Sequence, residues 1–278
     1  MLVAALRFIR FSHTVFALPF ALGSMLVAAH GLPGWRVVGL ILLAMVFART
    51  AAMTFNRLAD WEMDKRNPRT EGRHKLLSYR AAMMMLVFSA AAFVAVTFWI
   101  NRLCFWLSPV ALALVFFYSL TKRFTHAAQF FLGLALSVAP VGAWLAVTGA
   151  FAFPPLVLAL AVLLWVAGFD LIYATQDHDF DKAEGLHSMV VKLGVPRALQ
   201  AARLLHVAAY AGLLAFGVFA GLRVGYTVAS VLIFGMLIYE HRSAARLDVA
   251  GVNRAFFLSN AIVGALFVAG VAVDVFLH

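Results

Sequence analysis

Apolar runs of about 20 residues recur along the whole of this chain, separated by short polar stretches. Runs of that length are read as helices crossing a bilayer. The pattern predicts nine, over 12–30, 36–56, 80–100, 103–120, 127–148, 153–173, 199–220, 223–240 and 254–276. Two polar interruptions are long. The first, 57–79, reads RLADWEMDKRNPRTEGRHKLLSY; the second, 174–198, reads ATQDHDFDKAEGLHSMVVKLGVPRA. Each opens on a helix-compatible acidic stretch. Pro68 disfavours helix at Asn67 and closes the first, and Gly185 is placed to close the second. The layout suggests one domain over 1–278 made of two divergent halves, each with an acidic motif after an even-numbered span.

Composition agrees with this reading. Of the 278 residues 64% are hydrophobic, against roughly half in soluble chains, so little chain remains for a soluble domain. The lone cysteine, Cys104, excludes an intrachain disulfide framework and argues against a thiolate metal cluster. The first apolar run follows Arg7 and Arg10 and continues into a full-length span, unlike a cleavable leader.

The net charge of +10 raises nucleic acid as a partner, but its distribution argues for membrane topology. On the nine-span layout, 18 of the 22 Lys and Arg fall at the N-terminus, in the loops after even-numbered spans or at the span ends bordering those loops. Arg36, Arg102 and Arg223 lie opposite, and Arg49 lies inside the second span. The positive-inside rule then puts the N-terminus and the long loops in the cytoplasm and the C-terminus outside. The surplus serves topology and contact with anionic membrane lipids. Eleven of the twelve acidic residues, all but Asp274, fall on the cytoplasmic side too. The rule does not require that, so the chemistry is expected on that face of the cell's inner membrane.

The acidic residues are spaced for a helix face. Asn56, Asp60 and Asp64 are four apart, and Asp170, Tyr173, Asp177 and Asp181 are three, four and four apart. Such residues share one face, while Asp179 points elsewhere. Like charges at this spacing destabilise an isolated helix, so two such pairs are poorly explained as solvated helix ends. Paired carboxylates are hard oxygen ligands, and Mg²⁺ combines one or two of them with water and substrate phosphate. A diphosphate carried by Mg²⁺ fits that donor set. Arg66, Arg69, Arg73, Lys75, Lys122, Arg123, Lys182 and Lys192 follow or flank the motifs and are candidates to neutralise phosphate oxygens. Arg49 lies two turns before Asn56, about 10 Å deeper. Two readings stand for it: an ion pair with Asp170 or another internal group, or a receptor for an anionic second substrate. His13 and His187 carry no zinc-site spacing.

These residues resemble the UbiA superfamily of intramembrane aromatic prenyltransferases. The resemblance runs from HTVFALPFA near residue 13 to NRAFF and Asn260, and centres on ARTAAMTFNRLADWEMDKRNPRT and DLIYATQDHDFDKAEGLHSM. It implies an all-α integral membrane fold, nine transmembrane helices around a central cavity under cytoplasmic cap loops. It implies that Asn56, Asp60 and Asp64 form a first Mg²⁺-diphosphate motif and Asp177 and Asp181 a second, with Asp170 and Tyr173 in its extended form on the acceptor side. Arg69, Arg73 and Lys122 would bind diphosphate, with Arg123 beside them in the short YSLTKR turn a further candidate, and Arg49 would hold the acceptor's carboxylate. The branch it resembles is the 4-hydroxybenzoate polyprenyltransferases, which implies a polyprenyl diphosphate donor, an aromatic acid acceptor and quinone biosynthesis. Part of the same subgroup is linked to a dihydroxynaphthoate acceptor in menaquinone synthesis. After NPRT this chain reads EGRHKLLSY where the subgroup reads like NREIPSG. Arg73 survives and the Pro-x-Gly turn does not. The rival from another class, an ion-coupled transporter, expects ionisable groups near the bilayer midplane, whereas these cluster at one edge.

Overall fold

The computed structural model describes residues 2–10, 14, 16–67, 70, 72–245 and 249–277. Among them there are helices and no strands. In chain order they are α1 (Leu2–Phe8), α2 (Leu18–Ala29), α3 (Trp35–Ala59), α4 (Trp61–Arg66), α5 (Tyr79–Ile100), α6 (Arg102–Phe117) and α7 (Ala128–Thr148). Then come α8 (Phe153–Ala174), α9 (His178–Ala183), α10 (Met189–Leu193), α11 (Val195–Phe219), α12 (Val224–Ala244), α13 (Val249–Arg254) and α14 (Asn260–Leu277). Short 3₁₀ turns cover Arg73–Lys75, Tyr118–Arg123 and Thr175–Asp177, and a π-turn covers Ala255–Ser259.

Eight helical stretches among the described residues are long and apolar enough to cross a membrane. The first expected span, 12–30, is represented by α2, whose 12 residues make roughly 18 Å of helix. That is less than the roughly 30 Å of hydrocarbon in a bilayer. Pro19 sits in its first turn, and the chain leaves the helix through His30 at φ 48°. His13 lies outside the described residues.

Packing divides the chain into two compact units. The first comprises Met1–Thr14 and Gly34–Leu120; the second comprises Val15–Pro33 and Thr121–His278. In the first, α3 lies against α5 and α6. Only Asn101 separates α5 from α6, and its side chain accepts a hydrogen bond from Cys104 N at 2.9 Å, capping α6. Below α3, Phe8, Ile9 and Ala82 are buried and packed by Met53, Leu58 and Trp61. Helix α1 is thereby fastened under the first acidic stretch.

In the second unit α8 is central, packed between α7 and α11, while α2 joins α7 to α14 and α14 carries α12. Small residues permit close helix approach, as in other membrane bundles. A Cβ at Gly133 would strike the backbone carbonyl of Leu163, and one at Gly168 the imidazole of His206. A buried cluster of Leu171, Ile172, Ala174, Val190, Ala198 and Ala202 anchors the end of α8 against α10 and α11. Asp274, the one acid expected on the opposite face, has a structural task. It accepts hydrogen bonds from Arg223 N, Gly225 N and Tyr226 N at 2.5, 2.7 and 3.0 Å, and so caps the start of α12.

Candidate functional site

In the first unit, the 25 residues of α3 make roughly 37 Å of helix, longer than the apolar layer. Its last turn therefore emerges at the membrane edge, carrying Asn56. The helix pauses at Asp60, with φ −96° and ψ 14°, before α4 begins. The backbone ladder survives the pause: Asp60 N bonds Asn56 O at 3.0 Å, and Asp64 N bonds Asp60 O at 2.7 Å. The expected Asn56–Asp60–Asp64 stripe is therefore present across two helices instead of one. Asn56 Nδ2 donates to Asp60 Oδ2 at 3.4 Å and orients that carboxylate. Asn67 is extended, at φ −85° and ψ 115°, as a following proline demands.

Arg57 organises this stripe, a role that sequence reasoning missed. It is buried, 5% exposed. Its Nε donates to Phe8 O at 3.3 Å, its Nη1 donates to Asn56 Oδ1 at 3.3 Å, and the same nitrogen stands 3.7 Å from Asp64 Oδ2. One guanidinium thus links the N-terminal helix, the motif's amide and its buried second aspartate. The signal was available, because seven residues separate Arg57 from Asp64, two helical turns on one face.

Arg49 lies deeper on α3. Its Nη2 donates to Arg10 O at 3.2 Å, and its Nε–H is buried without a hydrogen-bond partner. No carboxylate of its own unit, among the described residues, pairs with it. Tyr118 lies within electrostatic reach of Arg49, Arg57 and Asp60.

In the second unit α8 gives way to the Thr175–Asp177 turn and then to α9. Asp170 and Tyr173 sit half-buried on the last turns of α8. Asp177 and Asp181 are 8% and 3% exposed, whereas the Asp179 side chain is fully exposed beside His178. The face expected from the spacing holds through the tight turn. Lys122 Nζ pairs with Asp181 Oδ2 at 3.1 Å, and Asp170 and Asp177 act on the same ammonium. The backbone secures this arrangement. Leu186 N bonds Asp181 O at 2.8 Å, and His187 N bonds Lys122 O at 2.7 Å. The His187 ring rests on His126 at 4.8 Å, so His187 serves as a strap. Gly185, at φ 66°, closes α9 as expected. Arg123 is exposed. Arg69 and Pro68 lie outside the described residues, and for Arg73 the description covers its backbone in the 73–75 turn.

The two half-sites follow one plan. In each, an aspartate pair ends a span, the second aspartate is buried, and a cation from the same unit pairs with it. Among the described residues no cluster of three or more acidic, His or Cys side chains is assembled as a metal cage. The donor set is instead two carboxylates per stripe, which fits Mg²⁺ completed by phosphate oxygens and water.

Fold and half-sites together define an all-helical, multi-pass membrane protein with carboxylate–cation pairs at the ends of its spans. The chain belongs to the UbiA prenyltransferase family, whose profile matches residues 17–261, and it is a membrane prenyltransferase. It is 34% identical over 252 residues to a 4-hydroxybenzoate octaprenyltransferase of Nitrosospira multiformis, covering 89% of this chain and 86% of that one. It is 31% identical over 256 residues to the enzyme of that name from Vibrio parahaemolyticus, covering 90% and 88%. Among solved structures it is similar to the apo UbiA homologue of Aeropyrum pernix, with TM-score 0.85, 32% identity, and 94% and 98% of the two chains covered. It is also similar to the Archaeoglobus fulgidus homologue bound to GPP and Mg²⁺, with TM-score 0.76, 25% identity, and 98% and 99% covered.

Proposed function

We propose that this protein transfers a polyprenyl group from a polyprenyl diphosphate to 4-hydroxybenzoate, with Mg²⁺, in ubiquinone-type quinone biosynthesis. The observation that carries the acceptor class is Arg49. A half-buried guanidinium whose Nε–H is buried and unsatisfied, with no carboxylate partner among the described residues of its unit, suits an anionic ligand. The named relatives favour the benzoate over a dihydroxynaphthoate. Asp60, Asp64, Asp177 and Asp181 would hold the metal, oriented by Asn56, Arg57 and Lys122. When bound, Mg²⁺ supplies Lewis-acid polarisation of the diphosphate leaving group.

The chain's own groups do the rest. Lys122, Arg123, Arg69 and Arg73 balance the charge that develops as the allylic C–O bond breaks and its electron pair leaves with the diphosphate. Arg49 holds the acceptor carboxylate, and Tyr173 and Asp170 flank the ring. A C–C bond forms at the ring carbon ortho to the hydroxyl, and the proton of that carbon passes to a nearby base. The active loops face the cytoplasm from the inner membrane.

The test is product analysis by mass spectrometry. Purified protein receives one long-chain prenyl diphosphate with 4-hydroxybenzoate and a dihydroxynaphthoate in competition. A prenylated benzoate as the main product is expected. A prenylated naphthoate as the main product would overturn the acceptor assignment.

A further inference from the structure

An open cavity of ≈ 330 Å³ lies on the second unit between α11 and α12, and none of its lining residues belongs to either carboxylate stripe. Its rim carries Arg203 and Arg242, and its flanks carry Val207, Phe234 and Ile238. Both arginines are exposed, and neither has an ion-pair or hydrogen-bond partner among the described residues. The inner wall is fixed. His241 Nε2 lies 3.1 Å from His206 Nδ1, and His206 Nε2 lies 3.1 Å from Trp165 O.

Arg203 stands eight residues beyond the first residue of α11, about 12 Å along its axis. Its neighbours Leu204 and Val207 are 72% and 64% exposed, so this is an outward, apolar surface. A cation there is costly unless it reaches the interface or meets an anion. Arg242 lies in the last turn of α12. Both helix ends fall on the face that the Lys and Arg distribution marks as cytoplasmic, where basic pockets between spans meet anionic headgroups. The volume is at the low end for ligand pockets. It suits a headgroup and the start of its chains, with the remainder in the bilayer.

We infer that the α11–α12 groove binds an anionic phospholipid, its phosphate on Arg203 and Arg242 and its acyl chains along Val207, Phe234 and Ile238. A prenyl diphosphate offers related chemistry. However, the cavity lining contains no carboxylate to bring a metal to a diphosphate, whereas two guanidinium groups match a single phosphodiester directly.

Native mass spectrometry of the purified protein, exposed to an equimolar mixture of phosphatidylglycerol and phosphatidylcholine, tests this. The wild type retains phosphatidylglycerol preferentially. Arg203→Gln and Arg242→Gln each lower that preference by about fivefold, while the charge-retaining Arg203→Lys with Arg242→Lys keeps it. Ile238→Trp fills the groove and lowers retention of the same lipid without changing charge. An unchanged preference in the doubly substituted glutamine variant overturns the proposal. So does stoichiometric displacement of phosphatidylglycerol by added geranyl diphosphate, which would make the groove a prenyl-diphosphate site.

Discussion

Arg57 and Lys122 do parallel work, each holding the buried second aspartate of its stripe. A carboxylate buried at a membrane edge is costly when unpaired. The partner cation pairs with it and aims it, as the outer-shell partners of metal ligands do. Arg57→Ala removes contacts to Phe8, Asn56 and Asp64 together. It should lower kcat/KM by about 10- to 100-fold and shift the Mg²⁺ dependence to higher concentration, both read from initial rates. Arg49→Ala should act differently. It should raise the acceptor KM by about tenfold or more, the worth of one charged hydrogen bond, and leave the prenyl-diphosphate KM near its original value. An unchanged acceptor KM would remove Arg49 from the acceptor site.

The stripes were legible in the sequence because four-residue spacing survives wherever the i→i+4 ladder survives, as it does through Asp60. Arg57 was not, because positive-inside topology already accounted for a basic residue at a span end. Glu240 was obscured for the same reason. It counts with the cytoplasmic acids, yet it is fully buried on α12, with its Oε1 3.4 Å from Asn260 Nδ2 of α14.

At the scale of elements, close helix approach sets the second stripe's position, since α8 carries it between α7 and α11. Gly133→Ala would place a methyl group against the backbone of α8, which has no side-chain freedom with which to yield. The expected cost is about 1–3 kcal/mol, seen as a lower melting temperature in detergent. Asp274→Ala should also destabilise, by about 1–2 kcal/mol, because three backbone N–H groups at the start of α12 lose their acceptor. An unchanged melting temperature in either variant would contradict the packing described. Seven of the nine expected spans were readable within a few residues as single helices because long apolar runs leave little choice. The last run differs in its start, where a π-turn over Ala255–Ser259 precedes α14. The first run differs more. Pro19 and the turns flanking α2 limit it to 12 residues, and hydropathy summed over a window does not register such punctuation.

For the whole molecule, the charge distribution predicts one chemically active face. Cys104 is buried, so it gives little background to thiol labelling. Single cysteines at Glu184 and Ala150 should then react from opposite sides of the membrane, Glu184 from the cytoplasm. Labelling of both from one side would overturn the topology.

The central claim is that the aspartate pairs of both units carry the metal and diphosphate. The direct measurement is prenyl transfer against Mg²⁺ concentration for Asp60→Ala and Asp181→Ala, in variants whose melting shows them folded. The account predicts that transfer is abolished in both across the whole Mg²⁺ range, one substitution from each unit sufficing. Near-normal transfer in either variant would contradict it.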